Sequence, residues 1–421
     1  MGFIIIKNLL FMNKIYMYLN IFIKKMNIKI EDSTIEYLKY KFRIYYSNLR
    51  NVLMPSNLNQ REWGFSFFSK DNKTYMKRHI SFESFNDWNN FIINMVPSNI
   101  FYSSAYYKNP YSSSMDNKIW NGADLIFDLD GDHLVDNNTS YEEMLNKVKK
   151  ETIKLLTILL NDFDFKEEQI EIIFSGNRGY HIHIYDSNIK CMDSTERREV
   201  VDYITGKGFD FKYYINENKD KKNYYSLKKY DSCWGKRILE YIVYWFQNEM
   251  SKNNIDKFIS LKKEKILTQK NIDELISIIK KNDFYKYISL GNIDIPFKNF
   301  NKIIEYILFK NKDKFLLKYK CNIDEPVTCD IKRLIRFPNS IHSKTGLKVT
   351  KVPLSKFYSF NPLKESIIFS SNLTNVNVNK DYIVDIGNSN MIINKGKQKL
   401  PEYIAIYLMC QGVANYGFKG Y

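Results

Sequence analysis

Residues 124–133 read DLIFDLDGDH, and residues 170–186 read IEIIFSGNRGYHIHIYD. Both open on short runs of Ile, Leu and Phe that are too brief for a helix and suit a buried strand. In the second, SGNRG interrupts the run before the apolar pattern resumes, which predicts strand, tight turn, strand. Successive strand residues face opposite ways, so Asp128 and Asp130 project together from one face. Two carboxylates side by side at the end of an apolar strand are costly unless a cation neutralises them. Mg2+ or Mn2+, which take hard oxygen ligands, suit such a pair. A strand that simply ends in a solvated acidic loop is the plainer alternative for D-x-D alone.

The turn carries its own chemistry. Gly176 and Gly179 allow a tight bend that exposes backbone N–H groups. Ser175, Arg178 and His181 add a hydroxyl, a guanidinium and an imidazole, a set suited to cradling a triphosphate. His183 shares a strand face with His181 and serves equally well as a packing residue. A third group lies in residues 324–346, DEPVTCDIKRLIRFPNSIHSKTG. There Arg336, His342 and Lys344 form a second set of phosphate donors, and Asp324 offers a third carboxylate for a two-metal centre. Scattered charges on a surface β-element are the alternative. Arg61-Glu62 and Lys77-Arg78-His79 fall on a predicted hairpin, from which Arg78 either reaches a phosphate or stays an exposed strand charge.

Around these groups the chain alternates helix and strand. An amphipathic helix is predicted between Met26 and about Asn57, and WGFSFFS and TYMKRHISF form a hairpin. SFNDWNNFIINMV is a helix capped by Ser84 or Asn86, SYEEML onward is a long helix capped at Ser140, and STERREVVDYITG is a helix ended by Gly206. Residues 212–320 change character: helix-rich, without strand alternation, with 24 Lys+Arg against 13 Asp+Glu. They read as a basic helical subdomain of net charge +11, inserted between residues 26–211 and 321–421 of one discontinuous α/β (α+β) domain. The segment PEYIAIYLMCQGVANYGFKGY reads as an apolar helix docked on the fold.

The chain has 421 residues, with 63 Lys+Arg against 47 Asp+Glu, a formal net charge of +16. That balance favours a polyanionic partner, although the abundance of Lys, Asn, Ile and Tyr is also what a low-GC genome produces. The ten arginines are more telling in a lysine-rich chain, and five of them (Arg61, Arg78, Arg178, Arg333, Arg336) fall in the motifs above, suggesting phosphate-gripping sites. Five cysteines exclude a disulfide framework. Residues 1–25 lack the unbroken apolar region of a signal peptide and the length of a membrane span. They read as an extension upstream of a folded protein beginning near Met26, or else as a peripheral amphipathic anchor.

In order along the chain, REWGF (61–65), YMKRHISF (75–82), FYSSAYYKNP (101–110), KIWNGADLIFDLDGDH (118–133), FSGNRGYHIHIYD (174–186), RREVVDYITG (197–206) and RLIRFPNSIHSKTGL (333–347) resemble the catalytic small subunit of the archaeal and eukaryotic DNA primase, most closely its archaeal branch. The resemblance spans Met26 to Lys351. It implies a primase–polymerase catalytic domain interrupted by a helical subdomain. It also implies de novo synthesis of short primers on single-stranded DNA from nucleoside triphosphates, with Mg2+ or Mn2+ and a large subunit as heterodimer partner. Carried over by motif, Asp128, Asp130 and Asp324 are the catalytic, metal-binding carboxylates. Ser175, Arg178, His181, Arg336 and His342 contact nucleotide phosphates, and Glu62 and Arg78 match further nucleotide-site positions. A cytoplasmic, nucleoid-associated enzyme without a membrane partner is implied. The zinc knuckle of many relatives is missing: HLVDNNTSYEEML has no cysteine, and Cys191, Cys233, Cys321, Cys329 and Cys410 show no C-x2–4-C spacing, so structural zinc is not expected. Two rivals are a repair or plasmid polymerase of the same superfamily and a catalytically inactive nucleic-acid-binding subunit.

Overall fold

The computed structural model describes residues 30–49, 52, 54–69, 75–134, 139–218, 224–227, 233–251, 261–262, 264–280, 283–291, 293, 295, 297, 300–387 and 389–417. Residues 1–25, read above as an extension, lie outside them. The chain forms two compact units, one of residues up to Val148, Glu171–Ser194 and Pro326 onward, the other of Lys149–Ile170 and Thr195–Glu325. Among the described residues no helix is long and apolar enough to cross a membrane.

The first unit is built on two four-stranded sheets. One has the order β11-β3-β1-β2, from Leu334–Arg336, Asn99–Ser103, Trp63–Ser66 and Met76–Ile80. The other has the order β12-β7-β8-β6, from Thr350–Val352, Ile170–Phe174, Gly179–Ile184 and Leu125–Asp130. The predicted hairpin is β1 against β2, and the predicted strand-turn-strand is β7 and β8. Aromatic rings fill the core beside the first sheet. Trp63 and Trp88 lie 5.2 and 5.0 Å from the Phe337 ring, and all three are fully buried. Such rings bury large areas and explain why short strands with few residues each hold together here.

Local signals place the helices. Ser84 caps Phe85–Met95 by accepting from Asp87 N. Ser140 and Glu143 cap Tyr141–Asn161 reciprocally: Ser140 Oγ accepts from Glu143 N at 3.2 Å, and Glu143 Oε2 accepts from Ser140 N at 3.2 Å. Gly206, at φ 68°, ends Ser194–Thr205. The first helix is shorter than its sequence suggests. It covers Ile30–Ser47, because the N–H groups of Asn48 and Leu49 turn back onto the Tyr45 and Tyr46 carbonyls and close the last turn.

The second unit has an aromatic core that includes Phe209, Phe211, Trp234, Phe246 and Phe315. It also corrects a reading: residues 212–320 are not free of strands, since β9 (Ile215–Asn218) and β10 (Tyr224–Leu227) form an antiparallel hairpin. The charged sequence between INEN and YYSL masked the alternation. The C-terminal apolar segment is a buried helix, Glu402–Cys410. After a turn it continues as β17 (Ala414–Tyr416), which pairs with β13 (Leu373–Val378).

Arg61 is a structural residue rather than a phosphate-gripping one. It is fully buried, donates to the carbonyls of Ser103 and Ser104 at 2.8 and 2.7 Å, and pairs with Asp124 Oδ2 at 2.7 Å. Tyr106 stacks beneath it, 3.6 Å from the guanidinium carbon to the ring centre. Removing one partner of a buried pair strands the other charge, so Arg61→Met is expected to lower stability by about 3–5 kcal/mol in urea unfolding. Removing Asp124 as well, in Arg61→Met/Asp124→Leu, is expected to restore part of that loss.

Candidate active site

Between the two sheets of the first unit lies a polar cavity of about 250 Å3. Strand β6 brings Asp128 and Asp130, β8 brings His181, and the 175–179 turn brings Ser175, Asn177 and Arg178. From the facing sheet come Phe101 on β3, Arg333 just before β11, and Arg336 at its end, followed by His342 and Lys344. The period-2 alternation of β6 therefore does what the sequence predicts, pairing Asp128 with His181 and Asp130 with Gly179 across the ladder. A larger cavity, about 710 Å3, lies on the other side of β3, where Tyr102 rather than Phe101 points. Its carboxylates Asp124 and Glu171 are already paired with Arg61 and Lys351, so the smaller cavity holds the reactive groups.

Glycine shapes the turn at two points. A Cβ on Gly179 would come within 2.0 Å of the Leu129 carbonyl oxygen on β6, so only glycine lets the two strands approach. Gly176 sits at φ 81°, and a Cβ there would meet His342 Cβ at 2.8 Å. The turn and the 342–347 loop are thus in close contact, and Thr345 Oγ1 donates to the Gly176 carbonyl across them. Ser175 Oγ is drawn back to accept from Gly179 N at 3.3 Å, which closes the turn.

Charges in the cavity are only partly matched. Arg178 donates from Nη2 to Asp130 Oδ2 at 3.4 Å and pairs with Asp132 through Nη1. Its Nε is buried with no hydrogen-bond partner among the described residues, as is His181 Nδ1. His181 Nε2 stands 3.6 Å from Asp128 Oδ1. Burial, reinforced by Arg336 and Arg333, pulls the His181 pKa down to about 3, so this contact is not an ion pair near neutrality. His342 is held well below its ordinary value by burial and by Arg336 and Lys344. Its Nδ1 accepts from Lys344 N at 3.1 Å, which leaves the proton on Nε2. Burial lowers Arg336 to about 10, against the opposing pull of Asp128 and Asp130.

Seven of the ten site residues named from sequence line this cavity: Asp128, Asp130, Ser175, Arg178, His181, Arg336 and His342. Glu62, Arg78 and Asp324 do not. Glu62 is fully buried and serves as an anchor. Its carboxylate pairs with the equally buried Lys118, with Arg78 Nε at 3.0 Å, and with the His79 backbone N–H at 3.2 Å. Burial would raise the Glu62 pKa, but Lys118 and Arg78 more than offset that and hold it below the ordinary carboxylate value. Asp324 belongs to the second unit and directly precedes the short helix Glu325–Cys329, at which the chain passes into the first unit. Among the described residues no three or more Asp, Glu, His or Cys side chains stand together as a ready metal site. The Asp128–Asp130 pair supplies two hard oxygen donors, which suit a Mg2+-type ion. Sequence reasoning passed over Lys118, which had no local signal, and Asn177. It named Arg333 without giving it a role.

His183 resolves as a packing residue. Tyr102 Oη and Tyr185 Oη each lie 3.3 Å from its Nδ1, and burial holds its pKa well below 6.5. A histidine that stays neutral when folded but protonates when unfolded costs stability as pH falls through the unfolded value. Urea midpoints are therefore expected to drop between about pH 7 and 5, less steeply in His183→Gln than in the unaltered chain. Gly179→Ala is expected to cost at least the roughly 1–3 kcal/mol of an overpacked core, read by thermal unfolding, because the obstacle is backbone.

The DNA primase small subunit family matches residues 127–354 of this chain. The DNA primase small subunit PriS of Methanosarcina mazei is 37% identical over 408 residues, covering 93% of this chain and 98% of that protein. PriS of Methanococcoides burtonii is 36% identical over 390 residues (90% and 98%), and PriS of Picrophilus torridus is 34% identical over 383 residues (89% and 96%). Identity at this level along nearly the whole chain, with the site residues inside the matched region, makes the chain a member of the DNA primase small subunit family.

Proposed function

We propose that this chain is the catalytic subunit of a primase, a nucleotidyltransferase that builds short primers de novo on single-stranded DNA for replication. The observation that carries the reading is the meeting of two carboxylates with Arg178, Arg333, Arg336 and Lys344 in one cavity, with the buried Arg178 Nε left without a partner among the described residues. Buried donors without partners cost stability, and a phosphate group supplies the acceptors they lack.

In the proposed reaction a 3′-hydroxyl attacks the α-phosphate in line. An O–P bond to the new nucleotide forms, and the bond to the departing pyrophosphate breaks. Arg178 and the 175–179 turn grip the triphosphate tail from the β8 side, while Arg336, His342 Nε2–H and Lys344 grip it from the β11 side. Because His181 and His342 are neutral near pH 7, they donate hydrogen bonds without adding charge. Asp128 and Asp130 would hold Mg2+ or Mn2+, which when bound would supply charge neutralisation and activation of the attacking oxygen; Asp324 is proposed as the third carboxylate on its sequence motif alone. Glu62 orients Arg78 rather than touching nucleotide, and Arg78 serves the nucleotide or template side.

We assign catalysis to the discontinuous domain 26–211 and 321–421, and the basic helical segment 212–320 to holding template or partner. The partner is a primase large subunit, and the setting is the cytoplasm, at the nucleoid. Charge reversal of several lysines in 212–320 that left template binding unchanged would remove that last role.

The test is primer synthesis on unprimed single-stranded DNA with labelled nucleotides and Mn2+ or Mg2+, with and without the large subunit. Asp128→Asn and Asp130→Asn are expected to lower the rate by about 10²-fold or more, and Arg336→Ala to raise nucleotide KM by at least about tenfold. Extension of a supplied primer without any initiation would move the protein to the repair-polymerase reading. Template binding without synthesis of either kind would leave an inactive binding subunit.

A further inference from the structure

The structure assigns Asn99, the first residue of β3, as the positioning residue that joins the two halves of the β11-side phosphate grip. This rests on the reading of the cavity as a triphosphate site. Asn99 is 5% exposed and lies behind the cavity rather than in its lining. Its Oδ1 accepts from Arg336 Nη1 at 2.7 Å and from the Ser343 backbone N–H at 3.1 Å. Its Nδ2 donates to Ser343 Oγ at 2.8 Å. One side-chain amide therefore holds both the arginine at the end of β11 and the loop that presents His342 and Lys344.

The geometry explains why an amide is needed. Arg336 is half-buried, and its guanidinium lies over the Phe101 ring at 4.9 Å, so the ring restrains one face and Asn99 one edge. Asn99 and Phe101 are two residues apart on β3 and share a strand face, which makes β3 a rigid platform for Arg336. A carboxylate at position 99 would also accept from Arg336 and Ser343 N. It would, however, lose the donor to Ser343 Oγ and place a negative charge behind an anion site. An apolar residue would leave the Ser343 N–H without its acceptor and free the arginine to turn. The amide offers an acceptor and a donor on separate atoms without charge, and so serves Arg336, Ser343 N and Ser343 Oγ at once.

Asn99 makes no contact with substrate in this account, so its removal should weaken the grip on the triphosphate more than the chemical step. The measurement is steady-state extension of a primed template by the full-length chain with ATP as the varied nucleotide, beside direct ATP binding and single-stranded DNA binding. Asn99→Ala is expected to raise the ATP KM by about tenfold with kcat within about threefold and DNA binding unchanged. Ser343→Ala, which removes only the Nδ2 contact, is expected to have a smaller effect of the same kind. In Asn99→Ala/Arg336→Ala the KM should exceed that of Arg336→Ala by less than the single Asn99→Ala effect, because the two residues act through one contact. Should Asn99→Ala fail to fold, Asn99→Ser is read in its place by the same criteria. An unchanged KM, full additivity in the double variant, or loss of DNA binding and kcat together would overturn the assignment. Wild-type chain that neither binds ATP nor extends a primer would overturn the reading of the cavity itself.

Discussion

Asp128 and Asp130 stand two apart on one face of β6, and the half-buried Arg336 lines the same cavity from the facing sheet. Each of these groups would be expensive to keep charged alone. Burial draws Arg336 down to about 10, and the two aspartates are what oppose that pull. The arginine in turn makes paired carboxylates tolerable in a half-buried strand end. Like charges on one strand face and a desolvated cation on the facing sheet thus stabilise one another. Every other feature of the cavity is arranged around this pair of sheets.

The turn and loop that frame the cavity obey the same constraint by steric means. Gly179 lets β8 approach β6 closely enough for the Asp130 side chain to face Arg178, and Gly176 lets the turn lie against His342. Thr345 then ties the loop to the turn through the Gly176 carbonyl. Moving either segment would disturb the other, so the β8-side and β11-side hydrogen-bond donors of the cavity are tied together. Preorganised donors of this kind need no rearrangement when charge arrives, which is where an electrostatic site gains most of its effect.

What could be read from sequence follows the range over which each signal acts. Asp128 and Asp130 were legible because strand alternation is local, and the GNRG turn because glycine announces its own geometry. Helix caps at Ser84 and Ser140 were legible for the same reason. Arg61, Glu62 and Lys118 were not, since their burial is decided by partners 56 to 63 residues away, as in Lys118–Glu62 and Arg61–Asp124. Asn99 reaches Arg336 across 237 residues and has no motif of its own. The alternation in Leu373–Val378, with Thr374, Val376 and Val378 buried, was a readable strand signal that composition-led reading passed over. The β9–β10 pair was hidden by the charged residues in the sequence between its strands.

The protonation of the two cavity histidines decides what the site can accept. Counted near pH 7, the lining carries four cations, Arg178, Arg333, Arg336 and Lys344, against two carboxylates. Were His181 and His342 also charged, the cations would outnumber the carboxylates three to one, and each would repel Arg336, whose own charge is already disfavoured by burial. Kept neutral, they leave a modest positive excess spread over both sides of the cavity. A polyphosphate, the ligand proposed above, would satisfy that excess and then overfill it, and a divalent cation beside Asp128 and Asp130 would then be favourable. On the function proposed above, nucleotide and divalent cation are therefore expected to bind cooperatively, nucleotide affinity rising with Mn2+ in a direct binding titration, because each would relieve the charge imbalance that the other creates.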